Sequence, residues 1–246
     1  MRLIIATLSV LLLTLCSAHA AGNLVIIAAS NAGKLAPGSV LQPEKPLAIP
    51  AGGKVTLLSK NGDVIKLRGP YSGPAGGALS ATTIKQSGDW SSTLTKIASL
   101  VSKHKKQSTV MGASRMTASA DPEQPDFWLM AVDSSGHRCV RSQKVDMWRR
   151  KARINAKLSL RNKTARQTGL IWKAGERRMR LPQKFIEDGT LIVMNFDKEP
   201  RRFTMHITPE NLATNRAGTV LQWMITNDCH RQAQVMIKHL HSDLID

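Results

Sequence analysis

The most regular hydrophobic pattern in the chain lies between residues 47 and 74, where two short apolar runs flank a turn dipeptide. Residues 54–59 are good strand formers, and so are residues 63–68, in which Ile65 and Leu67 alternate with the basic Lys66 and Arg68. Between them stands Asn61-Gly62, a dipeptide that tolerates the positive φ angles of a type I′ turn. The pattern predicts a β-hairpin.

Three further apolar stretches precede the hairpin, at residues 24–29, 40–41 and 47–49, and we interpret them as strands. Together with the hairpin they predict a small β-domain over residues 21–74. So few short strands bury little apolar surface by themselves, so we expect this unit to pack against a neighbour.

Residues 75–125 are predicted to be a linker because glycine, serine, alanine, threonine and proline dominate both of its ends. One stretch inside it differs. Leu94, Ile97 and Val101 recur at helical spacing, and lysines follow where positive charge suits the end of the helix dipole. We therefore predict an amphipathic helix over residues 91–106.

The second half of the chain, residues 126–246, has mostly the two-residue period of β-strands. Residues 154–161 show it most clearly. Further strands are predicted at residues 127–132, 145–148, 169–172, 191–196 and 203–207. Short strands at this spacing predict an antiparallel β-sandwich of immunoglobulin-like size. We assign to its core the four tryptophans Trp128, Trp148, Trp172 and Trp223.

Helices are expected to close the chain. Thr208-Pro209-Glu210 has the composition of a helix start, and Asn227 or Asp228 is expected to cap a last helix. The predicted fold class is mainly β with helices: a small N-terminal β-domain, a linker helix, and an antiparallel sandwich with C-terminal helices.

The first twenty residues have the features of a secretory signal peptide. Arg2 precedes an apolar run, and Ala18-His19-Ala20 predicts cleavage between Ala20 and Ala21. A membrane-spanning helix would need about 20 apolar residues. A lipoprotein would use Cys16, which follows a leucine larger than the usual residue at that position. We expect a periplasmic or secreted protein with no transmembrane segment in its mature chain.

Cleavage would leave two cysteines, Cys139 and Cys229. In an oxidising compartment a pair of cysteines most simply forms one disulfide, and two free buried thiols are the alternative. Neither cysteine has a second ligand at zinc-finger spacing, so no metal site is predicted there.

The charge balance points to an anionic partner. The chain has 35 Lys and Arg against 17 Asp and Glu, a formal net charge of +18. Behind a signal peptide, such a balance favours an anionic envelope component or an acidic protein partner over nucleic acid. Aromatic residues are only 4%, which disfavours a site built on base or sugar stacking.

The cations concentrate in the predicted sandwich, where guanidinium groups could bind phosphate or carboxylate. The alternative is a solvated face of a generally basic protein. The predicted anion-binding surface consists of Arg149, Arg150, Arg153, Lys157, Arg161, Arg177 and Arg178.

Catalytic patterns are weak. Residues 112–116 resemble a nucleophile elbow but have Met116 in place of the second glycine. Asp133, Ser135 and His137 lie in one predicted turn, which does not by itself make a triad. His206 is expected to point outward from its strand. We assign no catalytic residue, no metal ligand and no cofactor.

A resemblance emerges from the hairpin region. The residues that carry it are Pro50, Gly52, Val55, Leu57, Gly62, Leu67, Gly69 and Pro70. Their pattern resembles the β-repeat of FecR-type envelope domains, which sense or relay signals and have no catalytic residues. The whole chain is also similar to bacterial secreted (periplasmic) proteins, through Met147-Trp148-Arg149 and the Cys229-x-x-Gln-Ala motif. Neither resemblance implies an activity.

Two functional hypotheses follow. The first is a non-enzymatic envelope interaction or sensory protein with a basic surface for an anionic polymer, a lipid headgroup or an acidic protein. The second is an envelope hydrolase whose site is visible only in the fold. A shallow cationic surface would favour the first, and a deep cleft with clustered acids or a Ser/His pair would favour the second.

Overall fold

A computed structural model describes residues 23–77, 90–110, 122–141, 144–196 and 199–242. The predicted signal peptide, the nucleophile-elbow pattern at residues 112–116 and most of the predicted linker breaks lie outside the described residues. For the helix at residues 90–110, the structure describes the whole backbone but only the side chains of residues 92–102.

Six strands form the N-terminal part: β1 (Leu24–Ser30), β2 (Val40–Leu41), β3 (Pro46–Ile49), β4 (Lys54–Ser59), β5 (Val64–Arg68) and β6 (Tyr71–Pro74). Four of them make an antiparallel sheet in the order β2-β1-β4-β5, and β3 pairs with β6 as a separate ribbon. The predicted hairpin is β4–β5.

The turn of this hairpin differs from the predicted type I′. Gly62 has a φ of 79°, but Asn61 is not in the left-handed region. The backbone N–H of Ser59 donates to the carbonyl of Asp63 at 2.9 Å, so three residues form the loop. Ser59 Oγ accepts from the N–H groups of Asn61 and Asp63 and holds the loop in this form. The one left-handed residue is therefore the glycine, as in a three-residue hairpin loop.

Three helices cover one face of the N-terminal sheet: α1 (Trp90–Val110), α2 (Ala217–Thr226) and α3 (His230–Ser242). Val25, Ile27 and Leu58 belong to the core they share with the helices, whereas Leu24 and Ile26 face a second core with the β3–β6 ribbon. Because β1 is buried on both faces, its sequence is continuously apolar. The linker helix predicted over residues 91–106 is present and longer.

The C-terminal part contains β7 (Met130–Ala131), β8 (Gly136–Val140), β9 (Asp146–Trp148), β10 (Ala156–Arg161), β11 (Arg166–Trp172), β12 (Arg178–Arg180), β13 (Leu191–Phe196) and β14 (Glu199–Ile207). A five-stranded sheet in the order β11-β10-β13-β14-β8 packs on a three-stranded sheet in the order β12-β9-β7. This is the predicted β-sandwich with C-terminal helices. Two pairings are parallel, β14 with β8 and β7 with β9, so the sandwich is not purely antiparallel.

Some predicted elements are displaced by local hydrogen bonds. Only Met130–Ala131 of the strand predicted at residues 127–132 is extended, because an Asp126 oxygen accepts from the Trp128 N–H at 2.8 Å and makes a turn. The helix predicted at Thr208 begins instead at Ala217. Thr208 donates its N–H to the Val140 carbonyl at 2.9 Å, which ties it to the end of β8 and prevents it from capping a helix.

Candidate functional site: a cationic loop surface

Arg149 occupies the centre of the predicted anion-binding residues, but it is 1% exposed and cannot meet a ligand at the surface. Its inclusion in the predicted surface was wrong. The guanidinium donates to the carbonyl oxygens of Ile154 at 3.1 Å, Lys173 at 2.6 Å and Glu176 at 3.0 Å. It also lies over the Trp172 ring, 5.1 Å from the centroid. A buried cation must be satisfied in this way, and carbonyl oxygens and an aromatic face supply the partners here.

These bonds join two loops that are about 20 residues apart in the chain, residues 149–155 and 173–177. Two further contacts connect the same loops. The Gly175 N–H donates to the Ala152 carbonyl at 2.7 Å, and the Ala174 N–H donates to Asn155 Oδ1 at 2.7 Å. The loops leave the paired ends of β10 and β11, where Ala156 is opposite Trp172. Both loops are therefore fixed against each other at one end of the sandwich.

The joined loops carry a dense set of exposed cations, which we call the loop surface: Arg150, Lys151, Arg153, Lys173 and Arg177. Glu176 is the one acidic residue in the two loop sequences. The Arg177 guanidinium also donates to the Arg150 carbonyl and crosses from one loop to the other. Because Arg149 holds both loop backbones from inside, the cations of the two loops lie at the same end of the sandwich.

The remaining predicted residues lie on other faces. Lys157 and Arg161 are exposed on β10, on the outer face of the five-stranded sheet, and Arg161 is opposite Arg166 of β11. Arg178 is on the outer face of the three-stranded sheet, opposite Trp148. Because the outer faces of the two sheets point away from each other, the seven predicted residues do not form one surface. The structure brings together Arg150, Arg153 and Arg177.

Sequence reasoning left Lys151, Lys173 and Asn155 out of the predicted set. A signal for Lys173 was present. If residues 154–161 and 169–172 are read as neighbouring antiparallel strands, the residues just before the first and just after the second must meet. The carbonyl-binding role of Arg149 had no such signal, because its partners are loop backbone groups.

The polar side chains of the weak catalytic pattern each bind elsewhere. Asp133 accepts from the Arg150 N–H at 3.2 Å, and Ser135 Oγ accepts from the Arg202 N–H at 3.1 Å. His137 Nδ1 lies 2.8 Å from His206 Nε2, with the rings stacked. His206 is thus half-buried against a second imidazole. Burial and the neighbouring His137 lower the pKa of His206, in that order. Among the described residues, no group of three or more His, Cys, Asp or Glu is placed to hold a metal ion.

Cys139 and Cys229 form the predicted disulfide, with an S–S distance of 2.11 Å. Cys139 is on β8, and Cys229 immediately precedes α3. The bond therefore fixes the C-terminal helix to an edge of the sandwich, on the side where the helices meet the N-terminal sheet. The prediction of this pairing is confirmed.

Comparison with protein-family models, with curated proteins and with solved structures gives no match to this chain. The resemblance to FecR-type domains therefore stays a prediction. Within the described part of the chain, none of the helices has the length and hydropathy needed to cross a bilayer.

Proposed function

We propose that this protein is a non-enzymatic binding protein of the bacterial cell envelope whose loop surface docks on an anionic envelope polymer. Phosphate groups repeated along a polysaccharide or presented by lipid headgroups are the chemistry it would recognise. Guanidinium groups bind phosphate oxygens in pairs, and an array of them on a fixed backbone binds a repeated anion with little loss of entropy.

The observation that carries this proposal is the set of carbonyl bonds made by buried Arg149. They hold two loops in contact although both loops carry cations, and exposed like charges held together in this way repel. A surface that served solubility alone would gain nothing from such crowding. An anionic ligand lying across the loops would remove the repulsion.

The alternative hydrolase has less support. The Asp, Ser and His of the weak pattern are bonded to separate partners, and the two loops carry one acid, Glu176, rather than a cluster of acids. The secreted location remains part of the proposal, because it depends on the predicted signal peptide.

Binding to anionic vesicles and to a phosphorylated polysaccharide tests the proposal. The variant Arg150→Ser, Arg153→Ser, Lys173→Ser should bind both probes much less than the parent, and parent binding should weaken as salt rises. The three side chains are exposed, so the melting temperature should change little.

A matched variant, Arg161→Ser, Arg166→Ser, Arg202→Ser, removes the same charge from the five-stranded sheet. It should bind nearly as well as the parent. Equal losses in the two variants would mean that net charge alone attracts the probes, and unchanged binding of the loop variant would exclude the loop surface. Binding to an acidic protein with none to phosphate probes would replace the polymer by a protein partner.

A further inference from the structure

A cavity of about 450 Å³ lies between α3 and the outer face of the three-stranded sheet, and Arg150 of the loop surface is one of its lining residues. Its volume is in the range of small-molecule sites. Ala131 and Trp148 of the sheet and Val235 of the helix provide apolar wall. The polar lining consists of Glu123, Gln124, Asp133, Arg150, Arg231, Gln234, Lys238 and His239.

The charges around this cavity do not balance. Lys238 pairs with Glu123 at 2.9 Å, which accounts for one cation and one acid. Asp133 is the other carboxylate of the described lining, which also contains two guanidinium groups, Arg150 and Arg231. Its oxygens already accept from the backbone N–H of Arg150 at 3.2 Å.

A third guanidinium lies behind the wall. Arg138 is 2% exposed and donates to the carbonyl oxygens of Ala131, Ser134 and His137. Arg231 donates to the hydroxyl of the same Ser134, so these two cations are close neighbours. Burial, and after it the charge of Arg231, lower the pKa of Arg138 to about 10, while Asp133 acts in the opposite direction. The lining and Arg138 together therefore hold four cations, with Arg150, Arg231 and Lys238, against two acids, Glu123 and Asp133.

The frame of the cavity is rigid. The disulfide fixes the start of α3 to β8, and Gln232 in the first turn of α3 binds the same strand. A preorganised site of this kind loses little entropy when a ligand enters.

We propose that this cavity binds a small organic phosphate of about monosaccharide size. The phosphate would lie between Arg150 and Arg231, where it offsets the excess positive charge and accepts hydrogen bonds from both forks. The apolar ring faces of a sugar would contact Trp148 and Val235. The site shares Arg150 with the loop surface, whereas Arg231 and Lys238 lie outside that surface.

Glucose 1-phosphate is a suitable probe, followed by titration calorimetry and by the NMR signal of the Trp148 indole. Binding should be saturable in the parent and weaker by roughly tenfold or more in Arg231→Gln, the loss expected for a charge-assisted hydrogen bond. Arg166→Gln removes an equal charge from the opposite sheet and should bind as the parent does. Glucose should not bind, and glucuronate should bind less tightly than the phosphate.

Several results would overturn the proposal: no saturable binding of glucose 1-phosphate, equal affinity in Arg231→Gln, or an equal loss in Arg166→Gln. Glucuronate binding as tightly as the phosphate would exclude phosphate as the recognised group. The two proposed sites can fail independently. A second loop variant, Arg153→Ser with Lys173→Ser, keeps Arg150 and should retain glucose 1-phosphate binding while losing polymer binding. Arg231→Gln should lose glucose 1-phosphate binding and retain polymer binding.

Discussion

The side-chain amide of Gln232 hydrogen-bonds both backbone polar groups of Cys139. Its Oε1 accepts from the Cys139 N–H at 2.8 Å, and its Nε2 donates to the Cys139 carbonyl at 2.6 Å. Nε2 also donates to the Phe127 carbonyl at 2.8 Å. Cys139 is on β8, an edge strand of the five-stranded sheet, whose outward backbone groups would otherwise be unpaired. Gln232, which is 2% exposed, therefore supplies from α3 the hydrogen-bond partners for the outward backbone groups of this edge strand.

Replacement of Gln232 by leucine should be strongly destabilising. The substitution keeps the volume but leaves three buried backbone groups without partners, at a cost on the order of 2–4 kcal/mol in the free energy of unfolding. Urea unfolding measures it. Gln234→Leu, on the same helix and only half-buried, should change the free energy by about 0.5 kcal/mol or less. Equal effects of the two substitutions would contradict this role.

Loss of the disulfide should also lower stability. Cys139 and Cys229 are separated by 90 residues, and a loop of that length gives about 4.6 kcal/mol in the chain-entropy model, with residual structure reducing it. The Cys139→Ala, Cys229→Ala variant should melt below the oxidised parent and near the reduced parent. Mass spectrometry of a non-reduced digest should find the linked peptides. Two free thiols in freshly purified protein would contradict the pairing.

Much of this fold could be predicted from residue patterns, for a physical reason. A strand with one wet face, such as residues 156–161, must alternate, so β10 was recognisable. Ile154 continued the same alternation but is 70% exposed in a loop, because its carbonyl oxygen accepts a hydrogen bond from the Arg149 guanidinium. That bond joins residues whose pairing depends on tertiary structure, and no local pattern encodes it. The same applies to Thr208, whose helix-start composition is overridden by its bond to β8.

The candidate site shows this limit most clearly. The run of cations was visible in the sequence, but its division among three faces was not, because strand order decides which loops meet. The charge of Arg149 suggested that it contacts a ligand. Its guanidinium is instead buried and binds carbonyl oxygens of the protein's own loops. The lining of the cavity combines residues from 123 to 239, so composition alone could not assemble it.

Gly218 should not tolerate a side chain. It lies in the first turn of α2, and a Cβ there would come within 1.6 Å of the Gly62 carbonyl oxygen at the tip of the β4–β5 hairpin. Helix propensity alone predicts that Gly218→Ala stabilises the protein by about 1 kcal/mol. The contact predicts destabilisation of about 1–3 kcal/mol through overpacking. Thermal unfolding distinguishes the two signs. Thr226→Ala, at an exposed position of the same helix, serves as the control.

His206 should make stability depend on pH. The pKa of His206 in the folded protein is below its ordinary value of 6.5, through burial first and then His137, against the opposing charges of Asp188 and Asp228. As the pH falls below 6.5, the unfolded chain therefore binds more protons at this histidine than the folded protein does. Stability from this group is present above that pH and is lost as the pH decreases toward the lowered pKa.

Urea midpoints measured across this range should fall on the acid side. His206→Gln removes the titrating group and should reduce the slope. His241, whose pKa is lowered by burial, Lys54 and Lys66, contributes in the same direction, so part of the slope should persist in the variant. An unchanged slope in His206→Gln would assign the whole effect to other groups.

Arg149→Met provides the sharpest test of how the loop surface is built. Methionine fills most of the buried volume but leaves the carbonyl groups of Ile154, Lys173 and Glu176 without their donor. We expect a loss on the order of 2–4 kcal/mol in the free energy of unfolding and faster hydrogen exchange at residues 150–155 and 173–177. Polymer binding should fall although no exposed cation has been removed. Arg153→Met takes one cation from the same loop and should leave exchange unchanged. If Arg149→Met retains parental exchange and binding, the two loops are held together by something other than the buried guanidinium.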